Sequence, residues 1–137
     1  MMQDCIFCNI IAGEIPSSKV YEDDQVLAFL DISQVTPGHT LVVPKEHHRT
    51  LLEMDAIAVS QLFARVPEIA DKVMKATAAS GMNIINNSEE IAGQTVFHTH
   101  VHLVPRYGQK DDLKLDFVAH EPDFAALADL AEKIAHS

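Results

Sequence analysis

Short apolar runs separated by turn residues predict several β-strands along this chain. Residues 19–22 and 26–32 flank an acidic turn, which predicts a β-hairpin. Residues 39–44, 82–87 and 96–107 alternate or run apolar in the same way and predict further strands.

Two other segments repeat apolar residues at helical spacing. Within residues 55–80 the apolar positions are four, three and four residues apart, which predicts one long amphipathic helix that ends at Gly81. Its apolar face consists of Leu62, Val66, Ile69 and Val73. A C-terminal helix is predicted with Phe124, Leu127, Leu130 or Ala131, and Ile134 on one side. Because strands and helices do not alternate regularly, the pattern favours an α+β fold with an antiparallel sheet.

The composition is that of an ordinary globular domain, with 47% hydrophobic and 22% charged residues. No segment has the composition of a linker, so residues 1–137 are predicted to form a single domain. The formal net charge of −10 argues against nucleic-acid binding, because such a surface repels a polyanion. No apolar run is long enough to span a membrane, and residues 1–4 do not resemble a signal peptide. We therefore expect a cytoplasmic protein without membrane contacts.

Three histidines, His98, His100 and His102, occupy alternate positions in the last predicted strand. Because successive side chains of a strand point to opposite faces, the three rings project from one face, about 6.6 to 6.8 Å apart. Crowded imidazoles lower one another's pKa, which leaves neutral, nucleophilic nitrogens near pH 7. The pattern indicates a catalytic or metal-binding surface; the alternative is a set of histidines whose nitrogens are satisfied within the fold.

Cys5 and Cys8 are the only cysteines of the chain. They are too few for a secreted disulfide framework. The two-residue gap between them allows both thiolates to reach one zinc ion. A redox pair is the alternative, although only four residues precede Cys5, too few for the strand that leads into a thioredoxin-type pair.

Gly93, Gln94 and Thr95 lie just before the histidines. Glycine permits close approach of the backbone to an anion, consecutive N–H groups can donate to a phosphate oxygen, and the threonine hydroxyl can donate a proton. Together with the histidines, an anion-binding turn, a hydroxyl donor and a nucleophile fall within residues 93–102.

Residues 93–104 resemble the signature of the histidine triad (HIT) family of nucleotide hydrolases and transferases, in which three histidines alternate with mainly apolar residues. Thr99 departs from the apolar preference. Residues 29–32 and 37–45 are similar to the family's nucleoside-binding and fourth-histidine segments. The resemblance implies an α+β HIT domain that binds a purine nucleotide and forms a homodimer.

The resemblance also implies roles for individual residues. His100 would attack the α-phosphate and form a covalent nucleotidyl-histidine, which water later hydrolyses. This role requires that one ring nitrogen of His100 donates to a backbone carbonyl, so that the other keeps its lone pair. His39 and His102 would contact the phosphate oxygens and stabilise their charge.

The loop before the histidines would complete the phosphate site. Gln94 is implied to bind a phosphate oxygen, and Thr95 is implied to assist the leaving group or the oxyanion. Asn87 and Gly93 are implied to line the same cleft.

For the nucleoside, the resemblance implies that Asp31 accepts hydrogen bonds from the ribose hydroxyls. An apolar slot would hold the base by its flat faces, so base selectivity should be loose. The slot residues are Phe7, Ile10, Ile15, Phe29 and Ile32. The alternatives are a solvated carboxylate at Asp31 and an ordinary hydrophobic core.

Several HIT proteins combine a Cys-x-x-Cys pair with a histidine after the Pro-Lys segment and with the first histidine of the triad. This similarity implies a structural Zn²⁺ held by Cys5, Cys8, His47 and His98. His48 is the alternative to His47; otherwise His48, His120 and His136 match no family position and are expected at the surface. Because four protein ligands leave no open position, the zinc would anchor the fold without taking part in catalysis.

The leading functional hypothesis is a hydrolase that cleaves purine nucleoside phosphoramidates or related nucleotide phosphoanhydrides. An adenosine-nucleotide sensing or scaffold protein with only incidental turnover is the alternative. A zinc-storage protein is a third hypothesis and predicts more than one metal ion per chain.

Overall fold

The computed structural model describes residues 4–137, so part of the segment considered for a signal peptide lies outside the described residues. Five strands form one antiparallel sheet in the order β1-β2-β3-β5-β4. The strands are β1 (Lys19–Glu22), β2 (Val26–Leu30), β3 (Thr40–Pro44), β4 (Gly81–Ile85) and β5 (Val101–Arg106). The helices are α1 (Ile6–Ile11), α2 (Ala56–Thr77) and α3 (Phe124–Ala135), with short 3₁₀ turns at Leu51–Glu53 and Glu90–Ala92. The predicted α+β class is confirmed.

The sheet separates two hydrophobic clusters because alternate residues of each strand face opposite sides. One cluster packs against α1 and the other against α2. The α1 side contains Phe7 and Ile10 with Leu27, Phe29, Leu41 and Val43. The α2 side contains Leu62, Val66 and Ile69 with Val26, Ala28, Val42, Val101 and Leu103.

The alternation in β5 decides which side carries the chemistry. Val101 and Leu103 pack on the α2 side of the sheet. His102 lies between them and pairs in register with Leu41 of the α1 side. The imidazole of His102 therefore faces the α1 side, where it lies next to the ring of His100 at 5.0 Å between centroids.

Two predicted boundaries differ most from the observed ones. The last strand begins at Val101, so His98 and His100 lie in an irregular segment before it and only His102 is a strand residue. The reason is that β4 ends opposite His102, while the N–H of Thr99 donates to the carbonyl of His48 in a loop. The long helix ends at Thr77 and is capped by Ala78, which adopts the left-handed conformation (φ 55°), and Gly81 is the first residue of β4.

The C-terminal helix α3 is amphipathic, as predicted, yet none of its residues is buried. Its apolar positions Phe124, Leu127, Leu130 and Ile134 are all more than half exposed. Within residues 4–137, none of the helices combines the length and the hydropathy that crossing a membrane requires.

Candidate active site and metal centre

His100 carries its proton on the ring nitrogen that faces the backbone. Its Nδ1 lies 2.7 Å from the carbonyl oxygen of His98. Because a carbonyl oxygen only accepts, Nδ1–H is the donor, and Nε2 of the neutral ring keeps its lone pair. The ring is 6% exposed and packs edge-on against Phe7, with 5.1 Å between the centroids. This is the tautomer that the role of His100 as a nucleophile requires.

A hydrogen bond between His39 and His102 determines which nitrogen of His102 carries the proton, and the result is the opposite of that in His100. The N–H of Val35 donates to Nδ1 of His39 at 3.3 Å, so the neutral His39 ring has its proton on Nε2. That Nε2 lies 3.0 Å from Nδ1 of His102, which accepts, and neutral His102 is therefore protonated on Nε2. Asp31 Oδ2 lies 3.7 Å from the same Nε2 of His39. The site thus combines a lone pair on His100 with an N–H donor on His102.

Burial keeps these rings neutral. Removal from water lowers the pKa of His39 and of His100, although the carboxylate of Asp31 opposes the effect in both. The pKa of His102 falls to about 4, because burial is reinforced by the neighbouring rings of His100 and His39. All three imidazoles are therefore uncharged near pH 7.

The low pKa of His102 makes the protein less stable in mild acid. An unfolded imidazole binds a proton near pH 6.5, whereas folded His102 does so near pH 4. Between these values the unfolded chain holds more protons, so the free energy of unfolding falls as the pH falls. Between pH 7 and pH 5 we expect the free energy of unfolding to fall by about 1 kcal/mol less in His102→Asn than in the unmodified protein, as measured by urea unfolding.

Acidic side chains do not obscure this measurement. The pKa of Glu22 is lowered to about 2 by Lys19 and Lys45, and the pKa of Asp23 is also lowered, by hydrogen bonds from Tyr21, Gln25 and Arg65. Their stabilising contributions are lost mainly as the pH falls below their ordinary pKa values of 4.5 and 3.8, outside the measured range. An equal fall in the free energy of unfolding between pH 7 and pH 5 in His102→Asn and in the unmodified protein would contradict the prediction.

The loop that precedes the histidines contains a residue that the sequence did not single out. Asn86 donates from Nδ2 to the carbonyl of His100 at 2.9 Å. The neighbouring Asn87, which was predicted to line the site, lies against Gly93. A Cβ atom added to Gly93 would lie 3.3 Å from Nδ2 of Asn87. Gly93 also has a φ of 102°, which favours glycine. A pair of amides at the end of a predicted strand was the available signal for Asn86.

The side chain of Gln94 is held by backbone groups. It is 1% exposed, and its Oε1 accepts from the N–H of Glu89 at 2.8 Å. Its Nε2 donates to the carbonyls of Arg49 at 2.8 Å and Val96 at 3.0 Å. The amide supports the loop that carries Thr95, and the predicted contact with a phosphate oxygen would require it to release one of these partners.

A cleft of about 680 Å³ connects to these histidines through Asp31, which approaches His39, and through Phe7, which contacts His100. Asp31 Oδ1 also accepts from the N–H of Ser33 at 2.7 Å. Thr95 lies at the cleft. All the predicted slot residues, Phe7, Ile10, Ile15, Phe29 and Ile32, line it, together with Leu41 and Val96, which the sequence did not indicate. Ile32 is fully exposed, so it forms the rim of the cleft, whereas Phe7, Ile10 and Phe29 also belong to the core.

Four predicted metal ligands converge on one point. Nδ1 of His98 lies 3.4 and 3.5 Å from the Sγ atoms of Cys5 and Cys8, and 3.1 Å from Nδ1 of His47. Cys8 Sγ is 3.3 Å from the same nitrogen of His47. Tetrahedral zinc with these ligand types has edges of roughly 3.3 to 3.8 Å. The donor atoms therefore fit a structural zinc ion.

The hydrogen bonding of His98 supports this interpretation. Its Nε2–H donates to the carbonyl of Pro44 at 2.8 Å, which leaves the Nδ1 lone pair directed at the cysteines. Burial lowers the pKa of His98 to about 4, so the ring is neutral as a ligand must be.

His48 is neither a member of this cluster nor a surface residue. The structure selects His47 as the fourth donor. The side chain of His48 is 17% exposed, and its buried Nε2 has no hydrogen-bond partner within residues 4–137. The prediction that it lies at the surface was therefore wrong, because its loop turns inward to accept two hydrogen bonds from Thr99. His120 and His136 are exposed, as expected.

Asp31, His39 and His102 also bring three possible metal-binding atoms together. Their hydrogen bonding does not suit a cation. To coordinate through Nε2, His39 would need its proton on Nδ1, which faces the N–H donor of Val35. The arrangement is therefore better described as a hydrogen-bonded chain than as a metal site.

The family profile of the HIT domain matches residues 12–109 of the chain. The chain belongs to the HIT family. Protein hit from Bacillus subtilis is 51% identical to this HIT protein over 122 residues, which cover 89% of the chain and 84% of the relative. Two relatives carry enzyme names. The adenylylsulfatase HINT3 of Arabidopsis thaliana is 42% identical over 77% of the chain and 54% of the relative. The adenosine 5′-monophosphoramidase HNT1 of Saccharomyces cerevisiae is 36% identical over 95% of the chain and 80% of the relative.

Solved structures share the fold. SMU.412c from Streptococcus mutans superposes with a TM-score of 0.96 at 63% identity and covers 99% of this HIT protein and 86% of that chain. A Zn-bound histidine triad family protein from Mycobacterium smegmatis has a TM-score of 0.74 at 38% identity, with 95% and 97% of the two chains covered. The HIT fold of the chain is thereby confirmed.

Proposed function

We propose that this HIT protein hydrolyses purine nucleoside phosphoramidates or related nucleotide phosphoanhydrides through a covalent intermediate on His100. The observation that carries the proposal is the pair of complementary tautomers: Nε2 of His100 has a lone pair and Nε2 of His102 carries a proton. A nucleophile and a hydrogen-bond donor are thus available side by side, with 5.0 Å between ring centroids.

In the first step, Nε2 of His100 attacks the α-phosphorus and the bond from phosphorus to the leaving group breaks. The leaving nitrogen or oxygen takes the bond's electron pair and a proton from the solvent, while the Nε2–H of His102 donates a hydrogen bond that stabilises the charge developing on the phosphate oxygens. In the second step, water attacks the phosphorus, the bond to His100 breaks, and the proton released by water returns to the solvent. The products are a nucleoside monophosphate and the protonated leaving group, and His100 regains its neutral form.

His39 orients this chemistry. Its Nε2–H donates to Nδ1 of His102 and thereby holds the proton of His102 on Nε2. His102 thereby keeps an N–H that would donate to the phosphate oxygens as their charge develops. Thr95 and Asn87 would supply further donors to the phosphate oxygens, and Gly93 leaves the space that Asn87 occupies.

The nucleoside would occupy the apolar cleft. Its base would lie between the aromatic and branched side chains of the slot, and Asp31 would accept from the ribose. The names of two relatives, an adenylylsulfatase and an adenosine 5′-monophosphoramidase, favour an adenylyl group as the part of the substrate that is transferred.

Cys5, Cys8, His47 and His98 would hold zinc. The ion would supply structural anchoring, because its four protein ligands leave no position for substrate. His98 connects this anchor to the reaction, since its backbone carbonyl accepts the hydrogen bond from Nδ1–H of His100. Zinc ligation by His98 would thus orient the nucleophile indirectly.

We further propose that the chain is a single HIT domain that acts in the cytoplasm as a homodimer. The edge strand β4 pairs with β5 on one side only, so its other side is available to a second copy.

The intermediate can be tested by mass spectrometry. We expect protein mixed with adenosine 5′-phosphoramidate and quenched within milliseconds, without acid, to gain the mass of an adenylyl group on the peptide that contains His100. Acid is avoided because phosphorus–nitrogen bonds to histidine are acid-labile. Tight nucleotide binding with neither an adduct nor product release would instead identify a nucleotide sensor or scaffold.

A further inference from the structure

The segment that carries the nucleophile is not held by the sheet. β5 begins at Val101, and the ladder to β4 ends at the pair of Ile85 and His102. His98 and His100 therefore precede the regular hydrogen-bonding pattern of the sheet. A segment outside a ladder needs other partners for its backbone, since buried backbone groups are costly to leave unpaired.

Two polar side chains fix this segment through hydrogen bonds to neighbouring loops. Asn86, the first residue after β4, donates from Nδ2 to the carbonyl of His100 at 2.9 Å and so extends the connection between β4 and β5 by one residue. Thr99 donates from Oγ1 to the carbonyl of His48 at 3.0 Å, and its backbone N–H donates to the same oxygen at 2.7 Å. We call Asn86 and Thr99 the polar clamp.

Thr99 is the residue at which this chain departs from the apolar preference of the histidine signature. It is 1% exposed, so its hydroxyl has no access to water as an alternative partner. A buried hydroxyl is favourable only where it is hydrogen-bonded, and here the acceptor is the carbonyl of the loop that also carries His47. The departure is therefore explained by the need to fix the irregular segment.

We propose that the polar clamp positions His100, with Asn86 and Thr99 acting as positioning residues for the nucleophilic step. The proposal rests on the proposed function of His100. Neither residue needs to contact the substrate. Their hydrogen bonds hold the backbone on both sides of the His100 side chain, which sets the direction of Nε2. Nucleophilic attack is sensitive to such placement, and a displacement of 1 Å can cost about 100-fold in rate.

The test uses isosteric changes in protein with equal metal content per chain. Thr99→Val keeps the shape but removes the hydroxyl, and Asn86→Asp keeps the shape but replaces the N–H donor by an acceptor. We expect kcat for adenosine 5′-phosphoramidate to fall about tenfold in each variant, while the Kd of AMP changes less than twofold. Thr99→Ser retains the hydroxyl and should restore most of kcat.

Thr77→Val is the matched control. Thr77 also donates a hydroxyl to a carbonyl, that of Val73 at 2.7 Å, but it belongs to α2, which packs on the side of the sheet opposite the His102 ring. This variant should leave kcat unchanged even where its melting temperature falls. A kcat within twofold of the unmodified protein in both Thr99→Val and Asn86→Asp would overturn the proposal, as would parallel losses of kcat and AMP affinity.

Amide hydrogen exchange separates the clamp from the proposed function. In Asn86→Asp we expect the amide of Thr99 to exchange at least tenfold faster, with no change for amides within α2, because only the irregular segment loosens. If the unmodified protein shows no turnover, the proposed function fails, and faster exchange at Thr99 still establishes the clamp. Unchanged exchange at Thr99 overturns the clamp whatever the activity.

Discussion

Replacing His100 by glycine is expected to lower kcat for adenosine 5′-phosphoramidate by at least about 10⁴-fold, because it removes the lone pair that would attack phosphorus. The affinity for AMP should change less than about threefold, since the apolar cleft and Asp31 remain in place. Steady-state kinetics and calorimetric titration with AMP provide the two measurements.

Two controls make this result specific. His120→Gly removes an exposed histidine of the C-terminal segment and should leave both quantities unchanged. Adding free imidazole to His100→Gly should restore part of the turnover, since the small ring can enter the space that the side chain vacated and offer the same nitrogen. Undiminished activity in His100→Gly would remove the assignment of the nucleophile.

Loss of the metal centre is expected to have the largest effect on stability. Cys8→Ser removes one of four converging ligands and should reduce zinc from about one ion per chain to nearly none. A ligand present at about 1,000 times its Kd stabilises the folded state by about 4 kcal/mol, so the melting temperature should fall by about 10 °C or more. Elemental analysis and calorimetry measure the two changes.

Neighbouring histidines provide the matched comparison. His47→Ala should lose zinc as Cys8→Ser does, whereas His48→Ala should retain it, because only His47 lies with the cysteines. Adding Zn²⁺, but not Mg²⁺, to metal-free protein should restore the melting temperature, since thiolate and imidazole ligands select zinc. Unchanged melting in Cys8→Ser would exclude a structural metal, and more than one zinc ion per chain would favour storage.

Much of the fold could be predicted from the sequence because its signals are local. The stripe of Leu62, Val66, Ile69 and Val73 predicts a helix face, and all four residues are buried. The hairpin and the remaining strands follow from short apolar runs between turn residues, and the structure contains all of them. Boundaries were less predictable: whether residue 96 or residue 101 starts a strand depends on where the neighbouring strand ends.

The candidate site shows the same division. The histidine signature, the cysteine pair and the slot residues could be named from the sequence, because their residue types and spacing are typical of the family. The hydrogen-bond partners of the Gln94 amide could not be predicted, because they come from residues 49, 89 and 96. The contact from Asn86 to the carbonyl of His100 and the burial of Nε2 of His48 could not be predicted either, since both depend on loops that meet only in the folded chain.

The sequence by itself determined the residue types, their periodicity and hence the family, the long helix and the set of strands. Only the tertiary structure decided which nitrogen of each imidazole carries the proton, because that depends on the carbonyl of His98 and the N–H of Val35. It also decided that His47 rather than His48 faces the cysteines. Tautomers and ligand sets are properties of neighbours brought together in space, and a linear pattern does not contain them.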